Sequence, residues 1–141
     1  MMSNLIIKKI WEEGNLLELE VRGESEYVSA MQSCYVQDSL LVESGEKMIE
    51  WIKQTNEKCY LEFGSKEGNY TPAFSLCILQ PDVTGKLKIE VDIEIADNDS
   101  RCHRCVFFVD SELGAVERFG KALIELAKEC VGSEAKMFEQ Q

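Results

Sequence analysis

Between Lys86 and Ile95 the chain alternates without a break: Leu87, Ile89, Val91, Ile93 and Ile95 are apolar, and Lys86, Lys88, Glu90, Asp92 and Glu94 are charged. Successive side chains of a β-strand point to opposite faces, so this period of two describes a strand with one dry and one wet face. A parallel sheet covered on both sides would need apolar residues at both parities. The pattern therefore calls for an antiparallel sheet that is open to water on one face and covered on the other.

The cover is supplied further along. Leu113, Val116, Phe119, Leu123, Leu126, Ala127 and Cys130 recur at steps of three and four, the stripe of a helix lying on a sheet. This helix is expected to open at Asp110 or Ser111, and Gly120 beside its stripe would permit a close neighbour. A first helix is expected after Ser44 as N-cap, with Met48, Ile49 and Ile52 along one face and Trp51 as a core anchor, ending near Asn56.

Other segments read as strands: Leu5 to Trp11, Leu16 to Val21, Tyr27 to Tyr35, Cys59 to Phe63, Ala73 to Gln80 and Cys102 to Val109. Turns are expected at Glu12-Glu13-Gly14-Asn15, Arg22-Gly23-Glu24-Ser25, Gly64 to Asn69, Pro81 to Gly85 and Asp97 to Ser100. No repeat is visible in the residues, and the tail from Gly132 to Gln141 is expected to fray. The expected fold is a single α+β domain over residues 1–141. Its antiparallel meander sheet would have about six or seven strands, with two helices packed on one face.

At 141 residues the chain can bury one real core, and 45% hydrophobic content argues against disorder. The formal charge of −11 repels phosphates and anionic lipids, so neither nucleic acid nor a membrane is expected as a partner. A basic protein surface would be attracted. No stretch has the length of a membrane span, and no cationic segment precedes an apolar one at the start. A cytoplasmic protein is expected, with its six cysteines as reduced thiols rather than a disulfide framework.

Few residues suggest chemistry. Cys102-His103-Arg104-Cys105 offers up to three metal ligands, but in a regular strand residues 102 and 105 face opposite ways, and His103 is the sole histidine. A redox pair meets the same geometry. Gly64 to Gly68 lacks the spacing of a phosphate loop, and Asp97-Asn98-Asp99 lacks the Gly and Glu of a calcium loop. No nucleophile signature accompanies His103. Neither an enzyme nor a cofactor is expected. What stands out instead is a row of acids, Glu90, Asp92 and Glu94, extended by Asp97 and Asp99, able to steer a basic partner. The alternative is a small-ligand-binding or metal/redox-sensing module that uses a cavity in the curved sheet and Cys102, His103 and Cys105.

From about Leu40 to Lys128 the order of elements resembles that of the WapI-type immunity proteins encoded beside bacterial polymorphic toxins. The shared plan is a strand, a short helix with an acidic start (Glu43 to Ile52), a meander, and a closing helix. Here the last part reads Phe107-Phe108-Val109-Asp110-Ser111-Glu112-Leu113, followed by Val116, Phe119 and Leu123. The cysteines lie outside that plan. The resemblance implies a protein that binds and neutralises a cognate toxin inside the producing cell. It transfers no catalytic residue.

Overall fold

A computed structural model describes residues 4–64, 73–98 and 100–138, with the main chain alone described at 96–98, 101 and 138. The turn expected from Gly64 to Asn69 falls largely outside these residues, as does Asp99. In chain order the elements are β1 (Asn4–Glu13), β2 (Leu16–Glu24), β3 (Ser29–Gln37), α1 (Asp38–Trp51), β4 (Cys59–Gly64) and β5 (Ala73–Ile78). They continue with β6 (Lys86–Asn98), β7 (Arg101–Glu112), α2 (Leu113–Leu126) and β8 (Glu134–Phe138). In place of the turn expected at Arg22-Gly23-Glu24-Ser25, the structure carries β2 on through Glu24.

The fold is α+β with antiparallel pairing throughout the described strands, but the single meander sheet is corrected. There are two four-stranded sheets, in the orders β3-β2-β1-β8 and β4-β5-β6-β7. Period-two alternation reports which face of a strand is dry and says nothing about which strands share a sheet. The expectation of a frayed tail is also corrected for residues 134–138. These form β8, which pairs antiparallel with β1 from Asn4↔Phe138 to Lys8↔Glu134 and buries Ala135 and Met137.

This topology contains a repeat that the residues conceal. The order β-β-β-α-β occurs twice, as β1β2β3α1β4 and as β5β6β7α2β8. In each unit the three-stranded meander is completed by the last strand of the other unit, β8 beside β1 and β4 beside β5. Each half thus supplies an edge strand to its counterpart, which ties the two sheets into one structure.

Helix α1 begins at Asp38, not after Ser44. Ser44 reads as an N-cap, yet both it and the following Gly45 are buried within the helix. The two helices pack against each other, and Gly45 lies on the main chain of Gly120. Their small size is what lets the backbones approach.

Between the layers lies one apolar core. Leu87, Ile89, Val91 and Ile93 of β6 are buried, as expected, in the same cluster as Val116, Phe119 and Leu123. Ile95 is half-buried. The first sheet adds Leu5, Ile7, Leu17, Leu19 and Val21. Gly23 marks where the sheets meet, since a Cβ there would sit 2.6 Å from the Phe107 ring. Gln32 spans the same gap, donating from Nε2 to the Glu94 carbonyl at 3.0 Å.

One of the largest fully buried side chains among the described residues is cationic. Lys9 of β1 has no exposure. Its Nζ donates to the Ala127 carbonyl (3.3 Å), the Glu129 carbonyl (2.6 Å) and the Glu12 carboxylate (3.2 Å). Helix α2 has no basic residue in its last turn, so β1 delivers the charge that its carbonyl end attracts. The other unit has a neutral counterpart. Ile7 pairs with Ala135 and Ile78 with Cys59; two residues further on are Lys9 and Gln80, and Gln80 donates to the Asn56 carbonyl beyond α1.

Candidate protein-binding face

The outer face of the second sheet follows from its registers. Tyr60 pairs with Cys77, Cys77 with Glu90, and Glu90 with Phe108, so these four residues form one row across the strands. The next row is Glu62, Ser75, Asp92 and Val106, and beyond it Glu94 pairs with Arg104. β5 at the centre is buried at every position. The strands flanking the acids are not: Tyr60, Val106 and Phe108 stand out at 45%, 46% and 45% exposure. Acids thus alternate with exposed rings and a branched aliphatic.

Among the row's described side chains, Glu90, Asp92 and Glu94, it is Asp92 that departs furthest from the expected wet position. It is only 7% exposed, because Arg104 lies over it from the neighbouring strand. Arg104 donates from Nε to Oδ1 at 3.1 Å and from Nη2 to Oδ2 at 2.6 Å, a two-pronged clamp. These hydrogen bonds, and the Asp92 charge with them, raise the guanidinium pKa further. The stretch from Glu90 to Asp99 contains no base, but the sheet supplies one across the strand. Glu90 and Glu94 are half-buried on the same face. Asp97 lies in β6 with only its main chain described, and Asp99 is outside the described residues.

The surroundings tune two further groups. Tyr60 donates to Glu62 Oε1 at 2.7 Å, and its pKa is raised, first by burial and then by that hydrogen bond. Cys77 sits almost covered between Tyr60 and Glu90, and burial is the main cause of its raised pKa, with Glu90 adding to it and Lys58 opposing. At the far end of the face Lys88 pairs with Asp110 at 2.5 Å, so the acidic character is concentrated toward Glu62, Glu90 and Glu94.

The Cys102-His103-Arg104-Cys105 segment lies in β7, where Cys102 shares the outward parity of Arg104 and Cys105 the parity of buried Phe107. His103 falls on the parity of Cys105. The three potential ligands are split between two sides of a strand, and among the described residues no group of three or more His, Cys, Asp or Glu is placed to hold a metal ion. All six thiols are unpaired: Cys34, Cys59 and Cys77 are buried, Cys105 is intermediate, and Cys102 and Cys130 are exposed. An open cleft of about 690 Å³ does exist, but it lies at the end of α1 beside Lys47, Trp51 and Lys58 rather than in the curve of a sheet. Trp51 there is packed partly against the core, and its Nε1 donates to the Glu57 carbonyl at 2.5 Å.

Tyr60, Glu62, Arg104, Val106 and Phe108 are residues of this face that alternation in β6 does not reveal. A signal was present in Val106-Phe107-Phe108-Val109, a run apolar at both parities. Such a run suits a strand buried on both faces; on a strand at the end of a sheet it leaves apolar side chains on the surface.

Compared with family models, curated proteins and solved structures, the chain matches none. Among the described residues no helix is long and apolar enough to cross a membrane.

Proposed function

We propose that this is a non-catalytic, cytoplasmic immunity protein of bacterial toxin systems, which binds a basic cognate toxin and occludes it with the outer face of its second sheet. The observation that carries the reading is the composition of that face. Tyr60, Val106 and Phe108 are exposed beside Glu62, Glu90 and Glu94. Protein interfaces combine apolar and aromatic anchors, which hold the complex, with charged surroundings that steer encounter. The chain's charge of −11 acts in the same direction on any basic partner.

The roles divide by chemistry. Phe108 and Tyr60 offer ring area that loses water on contact. Glu90 and Glu94 supply attraction at longer range. Asp92 and Arg104 hold the sheet surface in shape, and the clamp limits how much of the Asp92 charge reaches a partner.

The test is binding and protection against the product of the neighbouring toxin gene. Phe108→Ala is expected to speed dissociation, whereas Glu90→Gln with Glu94→Gln is expected to slow association and flatten its salt dependence. No binding and no protection by the unmodified protein would end the immunity reading. Normal binding by both variants would move the interface elsewhere.

A further inference from the structure

Beyond toxin binding, we propose that the open edge of β7 is a self-complementary surface that pairs with β7 of a second copy of this chain, joining two second sheets into one. β7 is the terminal strand of its sheet, and twelve residues long. Natural edge strands are usually shielded by prolines, bulges, lysines or a covering element. β7 contains no proline and no lysine, and the register irregularity of this pair falls at Ala96/Asn98, before its regular part.

The main-chain groups on that edge can be assigned. Leu113 N–H donates to the Gly85 carbonyl, toward β6, and Leu79 N–H takes the Lys88 carbonyl toward β5. Main-chain groups alternate in direction along an antiparallel strand. The odd residues of β7 therefore bond to β6, and Arg104, Val106, Phe108 and Asp110 turn their N–H and C=O groups outward. Among the described residues no further backbone bond reaches these four. The end strands β3 and β7 both approach the other sheet, β3 at β4, β5 and β6 and β7 at β1.

Side chains select the register. A two-fold axis through Phe107 sets Val106 opposite Phe108 and Arg104 opposite Asp110, and the same contacts recur on the other side of the axis, as an isologous interface requires. Val106 and Phe108 would cover each other's apolar surface. Arg104 and Asp110 have 61% and 46% of their side chains exposed, and each meets an opposite charge. Like charges directly opposite are avoided, although the chain is acidic overall. The second copy is the occupant that satisfies this charge pattern at both ends at once.

Sedimentation equilibrium of the full chain, without any toxin, tests this independently of the immunity reading. The expected mass is twice the 16.0 kDa of the chain. Asp110→Arg places two arginines opposite each other and Arg104→Asp two aspartates, so each variant alone is expected to be monomeric. An equimolar mixture of the two restores both pairs and is expected to give a heterodimer, which a merely misfolded variant would not. Hydrogen exchange at the Arg104, Val106, Phe108 and Asp110 amides should slow as concentration rises, with the odd amides of β7 unchanged. A wild-type chain that stays monomeric, or dimers that persist in both single variants, would overturn the proposal. So would even amides that slow only on adding toxin, which would give the edge to that partner.

Discussion

Gly45 and Gly120 lie main chain to main chain, each seven residues beyond the first residue of its helix, Asp38 and Leu113. A Cβ on Gly120 would come within 2.9 Å of the Gly45 carbonyl oxygen and 3.2 Å of Met48 Cβ, and one on Gly45 would collide with the Gly120 carbonyl. The crossing of the two helices thus sits at equivalent points of the two β-β-β-α-β units. It is the place where the repeated topology touches itself.

Alanine at either glycine should therefore destabilise, although alanine favours helix by about 1 kcal/mol. The obstacle at each position is backbone, which cannot swing away. Gly45→Ala is expected to cost about 1–3 kcal/mol net, through forced separation of the helices. Urea unfolding measures it, and a variant as stable as the wild type would show that the helices can part freely.

Ile93 is 1% exposed on the dry face of β6. Ile93→Ala should cost about 2–5 kcal/mol by loss of burial and the cavity left behind. Glu94→Gln, one residue on and facing the other way, should stay within about 0.5 kcal/mol of wild type. Chemical denaturation of the pair checks the strand's facing directly.

Lys9→Met keeps the apolar stem but removes the ammonium donors from the Ala127 and Glu129 carbonyls. The expected cost is about 1–3 kcal/mol, the order of leaving a buried acceptor without its partner. Exchange of amides in β8 should accelerate too, because Lys9 also bonds through its main chain to Gly132 and Ser133. Unchanged exchange there would assign Lys9 a lesser role in holding the last strand.

The thiols should differ in reactivity with their burial. At pH 8, a thiol reagent is expected to modify Cys102 and Cys130 first and Cys34 only upon unfolding. Burial, assisted by the Glu18 charge, pushes the Cys34 pKa up to about 12 from an ordinary 9.0. The unfolded chain therefore releases this proton before the fold does. The stabilisation is complete below about pH 9 and is lost as pH rises toward 12. Urea midpoints of wild type and Cys34→Ala across pH 8 to 11 should converge with rising pH; parallel curves would contradict the buried-thiol account.

Much of the local structure was legible. The facing of β6 followed from Leu87 to Ile93 because alternation reports burial directly, and α2 followed from Val116, Phe119 and Leu123 for the same reason at helical period. The expected start of α1 falls too late because Ser44 resembles an N-cap, and only a second helix lying on it explains small residues at that point. β8 is not legible in the residues, because five of them with two buried side chains carry too little pattern without β1 beside them. Alternation puts Glu90 and Glu94 on the outer face, where the structure has them, but it also predicts a wet Asp92, since nothing in its own strand announces that Arg104 will cover it.

By itself the sequence determined quantities that a residue and its chain neighbours decide: period, facing, turn chemistry and net charge. Glu90 and Glu94 lie opposite the dry face of β6 in any fold that keeps Val91 and Ile93 in a core. Tertiary structure alone decided which strands share a sheet, that the two halves exchange β4 and β8, and that Tyr60, Arg104, Val106 and Phe108 join the acids on one surface. Pairing over long sequence separations depends on many weak contacts formed together, and no local period records which distant strand will provide them.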